Sequence, residues 1–235
     1  MNGFNVKIFI VLFVFSILFF VTRFYDIKYF PHYDVDENFY HELVLNFKNS
    51  DLSLYGIKYT FAPHPPLYFL LSIPFISINF ISVRYFVVFV NYISFILLFF
   101  VAKKLLNIKF AVIVLLVYLF YPLTFYLDRV SYPHALFGTI IITIFLCLLY
   151  EKKFWAILLS FFGFVTQYAG IVVIFYLFIY YYFYKSDKDL KYFYLLGFMM
   201  LIYMLVAMYL SDGFLFNQIY RQIIARIGEG GGKFD

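Results

Sequence analysis

Residues 85–102, YFVVFVNYISFILLFFVA, form the stretch that decides the fold. Asn91 and Ser94 are its only strongly polar residues, and charges appear only at its borders, at Arg84 and Lys103. A transmembrane helix needs about 20 predominantly apolar residues, with a range near 17 to 25. Strands of a membrane barrel would alternate apolar and polar residues, which this run does not do. The stretch therefore predicts a helix that crosses a lipid bilayer.

The rest of the 235-residue chain repeats this pattern. Hydrophobic residues make up 65% of it and charged residues 13%, against about 25% charged residues in an ordinary soluble domain. A water-soluble fold of this length could not bury that much apolar surface. The sequence therefore predicts an all-α, polytopic integral membrane protein. Five further apolar runs cover Val6–Thr22, Phe110–Tyr126, Ala135–Tyr150, Phe154–Tyr184 and Tyr192–Leu210.

Two stretches decide the number of spans. Phe154–Tyr184 is too long for one span, and Thr166–Gly170 interrupts it, which predicts two short helices that meet at the outer face. Pro66–Phe80 is short and contains Pro74, so we expect a helix at the membrane interface and not a crossing. Val6–Thr22 has no small-residue cleavage site and is expected to be a retained span. About seven transmembrane helices result.

The lysines predict the orientation. Short cytoplasmic loops of membrane proteins carry an excess of Lys and Arg. With seven spans and the amino terminus in the cytoplasm, the inner loops hold Lys103, Lys104 and Lys109, then Lys152 and Lys153, then Lys185, Lys188 and Lys191. All four histidines and most of the 13 acidic residues then face outward. We expect a plasma-membrane protein, or an endoplasmic-reticulum protein in a eukaryote, with its chemistry on the outer or luminal face.

The chain divides into two parts. Residues 1–210 form one transmembrane module, in which residues 24–84 are a large first outer loop. Residues 211–235 form an outer-face tail, where Asn217–Ile227 has the spacing of an amphipathic interfacial helix. The net charge of +5 lies in short loops between spans, so nucleic acid is not an expected partner.

Acidic and imidazole side chains concentrate in the first outer loop, where residues 33–42 read YDVDENFYHE. A short helix is expected over Asn38–Asn49, and residues 64–67 read HPPL. Charged groups beside a membrane are costly unless they are solvated or used. Two interpretations therefore stand at this point, a solvated polar loop and a functional site.

A resemblance favours the functional site. Asp36-Glu37-x-x-Tyr40 after a first span, followed by His64-Pro65-Pro66-Leu67, resembles the first outer loop of GT-C glycosyltransferases. These polytopic enzymes use polyprenyl-phosphate sugars, and they include protein O-mannosyltransferases and the aminoarabinose transferase of lipid A. Arg84 at the opening of the next span, and the glycine-containing pair of short helices in Ser160–Gly170, are similar to the same family.

The resemblance implies roles for five charged residues. Asp36 would be the general base that takes a proton from the acceptor, and Glu37 would orient the site or act as a second acid. Arg84 would bind the departing phosphate, since a guanidinium suits phosphate oxygens. Arg129 and Lys58 are weaker candidates for the same role.

The remaining candidate residues surround these. His64 would bind phosphate or sugar, or else only cap the helix that follows it, and Tyr40 would support the site or serve as an interfacial aromatic. His134 stands where relatives often have an acidic residue, and Gln167 stands where the family commonly has a lysine, which removes a cation from the phosphate side. Asp128 and Arg129 are expected to pair with each other.

A metal is the alternative to a metal-independent site. Asp34-Val35-Asp36 forms a D-x-D pattern, which oligosaccharyltransferase subunits use for a divalent cation. Carboxylate oxygens suit Mg²⁺ or Mn²⁺. The Asp-Glu arrangement resembles the metal-independent relatives more, so no cofactor is expected to be required.

The sequence thus predicts a glycosyltransferase that moves a sugar from a polyprenyl- or dolichyl-phosphate donor to an acceptor on the outer face. The alternative is a non-catalytic GT-C-like subunit that binds lipid-linked sugar or scaffolds a partner. A GT-C enzyme usually continues with further spans, so a protein subunit that completes the acceptor site is a further expected partner, beside membrane lipid. A transporter or flippase is disfavoured because such proteins place charges near the bilayer midplane.

Overall fold

A computed structural model describes residues 6–29, 31, 35–49, 65–184 and 191–210. Within these ranges the chain is almost entirely helical and contains no strand. This confirms the all-α prediction for the described residues. The helices are α1 (Val6–Phe24), α2 (Val35–Asn49), α3 (Leu67–Ile76), α4 (Phe80–Leu105), α5 (Ile108–Phe120), α6 (Pro122–Leu127), α7 (Pro133–Leu149), α8 (Lys153–Thr166), α9 (Gly170–Ile179, continued by a π-helical turn over Tyr180–Tyr184) and α10 (Lys191–Leu210).

Two of these helices are long and apolar enough to cross a membrane. They are α4, over Ile81–Leu105, and α10, over Tyr192–Tyr209. At 1.5 Å per residue, α4 is roughly 39 Å long, which exceeds the roughly 30 Å hydrocarbon core of a bilayer. Six of the other helices have apolar parts of 10 to 17 residues. The seven-span count therefore remains a prediction.

The long helices run alternately between two ends of the bundle. At one end, Arg23 of α1 reaches the carbonyl oxygens of Tyr118 and Leu119 at the end of α5. Arg84, near the start of α4, donates to the carbonyl oxygen of Ile27 just after α1. We call this the arginine end, because Arg23, Arg84 and Arg129 are all buried there.

The opposite end carries exposed lysines. Lys104, at the end of α4, lies over the ring of Tyr150, which follows α7, at 5.1 Å. Phe154 at the start of α8 packs against Tyr192 at the start of α10. We call this the lysine end; its lysines with described side chains are Lys103, Lys104, Lys109, Lys152 and Lys153. These lysines lie at the end opposite to the buried ion pairs; their cytoplasmic location remains a prediction.

Helix α3 stays at the arginine end. It has 10 residues and is therefore roughly 15 Å long, about half of what a crossing requires. Phe75 stacks on Phe86 of α4 at 4.7 Å, and Phe69 contacts Tyr40 of α2. A short, non-spanning helix was predicted within Pro66–Phe80, and its length agrees; its location at a membrane surface remains a prediction.

The predicted break after Thr166 is confirmed. Gln167 is extended, with φ −153° and ψ 131°, and α9 begins at Gly170. A Cβ atom on Gly170 would lie only 2.5 Å from the backbone nitrogen of Phe164. The two short helices therefore meet at a junction where only glycine fits without moving the backbone.

Three predicted boundaries are wrong. The run Phe110–Tyr126 is not one helix, because Pro122 disfavours the α conformation at Tyr121, which is extended with ψ 121°. Helix α4 begins at Phe80, where the side chain of Asn79 caps it by accepting from the Ser82 N–H. Arg84 consequently lies one turn inside α4 and does not open it. Helix α2 begins at Val35 and not at Asn38.

Candidate active site at the arginine end

The first network of the arginine end joins α2 to α4. Arg84 and Glu37 form a bidentate ion pair, with Nε to Oε1 at 2.8 Å and Nη2 to Oε2 at 2.5 Å. Both side chains are fully buried. Arg84 Nη1 also donates to the carbonyl oxygens of Ile27 and Pro31, each at 2.9 Å. One guanidinium thus holds the chain after α1 and the first turn of α2 against α4.

Ser131 and His41 extend this network. The backbone N–H and the hydroxyl of Ser131 both donate to Glu37 Oε1, at 3.1 and 2.7 Å. The Ser131 hydroxyl also lies 2.8 Å from His41 Nε2. Since the hydroxyl has one proton, and that proton goes to the carboxylate, Nε2 of His41 carries a hydrogen and donates to Ser131.

His41 is held in its neutral form. Burial, and secondarily the positive charge of Arg84, lower the pKa of His41 from its usual value near 6.5 to about 3. Its imidazole is only 2% exposed. The neutral tautomer with hydrogen on Nε2 has its lone pair on Nδ1. The network Arg84–Glu37–Ser131–His41 therefore fixes both the orientation and the protonation of this histidine.

The second network joins α1 to α5 and to the segment before α7. Arg23 Nε donates to Asp128 Oδ2 at 2.9 Å, and the Tyr118 hydroxyl donates to Asp128 Oδ1 at 2.8 Å. Arg23 also donates to the carbonyl oxygens of Leu119 and Tyr118 and to Thr22. Burial raises the pKa of the Asp128 carboxyl, and the charge of Arg23 opposes that effect. The predicted pair between Asp128 and Arg129 is thus wrong, because Arg23 is the better placed cation.

Arg129 lies between the two networks. Its Nε donates to the carbonyl oxygen of Arg23 at 3.1 Å, and its guanidinium lies 4.7 Å from the centre of the Phe125 ring. Burial lowers the pKa of Arg129, and the like charges of Arg23 and Arg84 lower it further, while Asp26 opposes them. Three guanidinium groups are therefore close enough to influence one another at the arginine end, where Asp128 and Glu37 neutralise two of them.

Helix α2 presents one buried face to this region. Glu37, Tyr40, His41 and Val44 are buried, and their spacing of three, four and seven residues places them on one side of a helix. Tyr40 packs edge-on against Tyr132, with ring centres 5.6 Å apart. The pattern shows that the acidic loop segment is packed against the bundle and is not simply a solvated loop.

Asp36 is in the first turn of α2, directly before the anchored Glu37. Its side chain lies outside the described part of the structure. Backbone N–H groups at a helix amino terminus favour a negatively charged side chain there. The predicted base is thus carried by a helix whose start is fixed to α4 through the neighbouring residue.

The other predicted site residues divide into two groups. His134 at the start of α7 and Gln167 after the end of α8 lie together, with His134 Nε2 3.3 Å from Gln167 Nε2. Tyr132 links them to the site, since its ring contacts both His134 and Tyr40. Asp34, Lys58 and His64 lie outside the described residues, as do the rest of residues 50–64 of the first outer loop and the tail 211–235.

Sequence reasoning missed Arg23, Ser131 and the position of His41. The sequence contained a signal for Arg23 and another for His41. Arg23 follows the first apolar run directly, and a charge there must find a partner near the membrane. His41 is four residues after Glu37, hence one helical turn away. Ser131 carried no recognisable signal, because its partner Glu37 is 94 positions away in sequence.

Comparison of the chain with protein-family models, with curated proteins and with solved structures finds no match. The likeness to GT-C glycosyltransferases therefore rests on the short motifs of the sequence.

Proposed function

We propose that this protein is a membrane glycosyltransferase that moves a sugar from a polyprenyl- or dolichyl-phosphate donor to an acceptor on the outer or luminal face. The observation that carries the proposal is the burial of three arginines at the one bundle end that also holds the start of the acidic helix α2. A lipid phosphate needs cations close to the hydrocarbon boundary, and the acceptor needs a carboxylate close to the same place.

The membrane placement is part of the proposal. Helices α1, α4, α5, α7, α8, α9 and α10 would be the seven spans, with the lysine end in the cytoplasm. Two candidate spans and the exposed apolar side chains of α10, such as Tyr194 and Phe198, support this placement. The arginine end would then lie at the outer boundary, where the phosphate of a lipid donor resides.

The proposed reaction is a single displacement with inversion. An acceptor oxygen attacks the anomeric carbon, the bond from that carbon to the phosphate oxygen breaks, and polyprenyl phosphate leaves. The acceptor proton passes to the Asp36 carboxylate. Glu37 would act as a positioning residue, because its two oxygens are already engaged by Arg84 and Ser131. The arginine cluster would stabilise the charge that accumulates on the departing phosphate.

The test is release of polyprenyl phosphate from labelled polyprenyl-phosphate sugars, in membranes that contain the protein and its native acceptors. Asp36→Asn removes the base and should lower the rate at least about 100-fold. Glu42→Gln is the matched control, because Glu42 is an exposed carboxylate on the same helix and should retain the wild-type rate. If the Asp36→Asn variant is correctly inserted and releases polyprenyl phosphate at the wild-type rate, the proposed glycosyltransferase activity is refuted.

A non-catalytic subunit that binds lipid-linked sugar is the second candidate. It is favoured by the mutual engagement of Arg84 and Glu37, and by Gln167, whose amide lies beside His134 where the resemblance would place a cation. Under this candidate the purified protein retains a polyprenyl-phosphate sugar but does not release its lipid when acceptors are added. Retention of the intact donor by wild-type and Asp36→Asn protein alike, with no turnover by either, would favour this function.

A further inference from the structure

A lateral groove lies between α1 and α4, away from the arginine end. Its volume is about 530 Å³. Phe9 and Phe13 of α1 form one wall, and Ile93, Ile96 and Phe100 of α4 form the other. Phe9, Phe13 and Ile93 are each more than half exposed, at 58%, 57% and 51%. The groove is thus apolar, open to its surroundings and built from helices of the proposed transmembrane bundle.

The Ser16 and Tyr92 hydroxyls that line the groove form their hydrogen bonds within the protein and do not require water as a partner. The Ser16 hydroxyl donates to the Leu12 carbonyl oxygen at 2.7 Å, and it lies 2.6 Å from the Tyr92 hydroxyl. Since the single proton of Ser16 goes to the carbonyl, Tyr92 is the donor to Ser16. Both hydroxyls are therefore engaged within the protein, and an apolar occupant leaves no polar group unpaired.

Along the helix axes, the groove is closed on the side of the arginine end. On the side of the arginine end, Phe20 of α1 packs against Phe89 and Tyr92 of α4, with ring centres 5.4 and 4.6 Å apart. These aromatic contacts close the space between the two helices. An acyl chain in the groove can therefore extend along the helices towards the lysine end but not towards the arginine end.

Lys103 is a basic residue near the lysine end of the groove. Ile93, Ile96, Phe100 and Lys103 follow one another at intervals of three, four and three residues, so Lys103 continues the stripe of α4 that lines the groove. Lys103 is exposed. The neighbouring Lys104 lies over the ring of Tyr150, which follows α7. Lys103 is thus the basic residue placed about one helical turn beyond the apolar walls.

We propose that this groove binds one anionic phospholipid of the lysine-side leaflet, with an acyl chain between α1 and α4 and its phosphate at Lys103. The wall formed by α4 runs from Tyr92 to Phe100 and is roughly 12 Å long at 1.5 Å per residue, so the groove holds part of one acyl chain. The apolar walls, together with Lys103 one helical turn beyond them, match an amphiphile with an anionic head. The inference rests on the membrane placement proposed above and is independent of sugar transfer.

The test is native mass spectrometry of the purified protein in a neutral detergent, titrated with phosphatidylglycerol or with phosphatidylcholine of the same chains. Wild-type protein should bind one phosphatidylglycerol about five-fold more tightly than phosphatidylcholine. Lys103→Gln should remove that preference, whereas the matched control Lys109→Gln, an exposed lysine on α5, should keep it.

A second pair of variants tests the tail. Ile93→Trp fills the groove and should weaken the binding of both lipids at least ten-fold, while Ile113→Trp, at a similarly exposed position on α5, should leave binding unchanged. Phosphatidylglycerol preference that survives in Lys103→Gln, lipid binding that survives in Ile93→Trp, or a dimer in which a second copy covers the groove would each overturn the proposal. Because Lys103 is a surface residue, its variant tests the site even if the tryptophan variant does not fold.

Discussion

The two ion-paired networks of the arginine end differ in what they hold together. Arg23 and Asp128 share one hydrogen bond, and Arg23 also donates to two carbonyl oxygens at the end of α5. Arg84 and Glu37 share two hydrogen bonds, and Glu37 passes the connection on to Ser131 and His41. The Arg23 network therefore ties long helices to one another, whereas the Arg84 network fixes a helix of the polar loop. The difference favours the Arg84 network as the one that supports the candidate site.

The largest effect is expected from Glu37→Gln. This change leaves Arg84 buried without its counter-charge, and such a loss costs about 3–5 kcal/mol. The free energy of unfolding, measured in mixed micelles, checks it. Glu42→Gln, the same substitution at an exposed position of α2, should cost less than about 0.5 kcal/mol. A loss below about 1 kcal/mol for Glu37→Gln would mean that the Arg84 network is not a structural anchor.

A smaller loss, about 2–3 kcal/mol, is expected from Asp128→Asn. Arg23 and Asp128 share one hydrogen bond, whereas Arg84 and Glu37 share two, so the substitution at Asp128 removes a smaller part of its network. The same unfolding measurement applies, with Asp26→Asn as control, because Asp26 is exposed and its φ of 55° is one that asparagine tolerates. If Asp128→Asn costs more than Glu37→Gln, the ranking of the two networks is reversed.

The Arg84 network should also lose stability in acid, because it contains His41. The unfolded chain protonates His41 below about pH 6.5, but the folded chain does so only near pH 3, so the unfolded state binds more protons between these values and stability falls as the pH falls. The slope is up to about 1.4 kcal/mol per pH unit, which amounts to about 2 kcal/mol between pH 6.5 and pH 5.

His41→Gln isolates this contribution, since glutamine can still donate to Ser131 but does not titrate. The difference in unfolding free energy between pH 7 and pH 5 should shrink by about 2 kcal/mol in this variant. His134→Gln, at an exposed histidine, is the control and should leave most of the difference in place. Parallel pH curves for wild-type and His41→Gln protein would show that His41 is not held neutral.

The smallest effect is expected from Ser131→Ala, at about 1.5 kcal/mol. The variant loses the hydroxyl that connects Glu37 to His41 but keeps the backbone N–H bond to Glu37. Ser77→Ala provides the comparison, because its hydroxyl bonds a carbonyl on an exposed part of the chain. A loss as large as that of Glu37→Gln would place Ser131, and not Arg84, at the centre of the network.

Much of the helical layout could be predicted from sequence, because the signals are local. The apolar runs, the interruption at Gly170 and the short helix within Pro66–Phe80 each follow from neighbouring residues. The boundary errors have local causes too: Pro122 ends α5 early, and the Asn79 cap starts α4 early. These cues were present in the sequence but were outweighed by hydrophobicity.

The site was less predictable because its contacts are distant in sequence. Arg84 and Glu37 are 47 positions apart, and Arg23 and Asp128 are 105 positions apart. Charge alone predicted that Asp128 would pair with its neighbour Arg129, and only the meeting of α1 with α5 brings Arg23 closer. Glu37 was predicted as a site residue through a resemblance, whereas its role as an anchor follows from the bidentate geometry.

The central claim is that the arginine end receives the phosphate of a lipid donor. The most direct measurement compares the affinities of the purified protein for polyprenyl phosphate and for the uncharged polyprenol of the same length. Lys103→Gln protein is used, so that the phosphate site proposed at the groove between α1 and α4 does not contribute. The account predicts at least about ten-fold tighter binding of the phosphate, since hydrogen bonds to charged groups contribute about 1.5–3 kcal/mol. Equal affinities for the two lipids would contradict it.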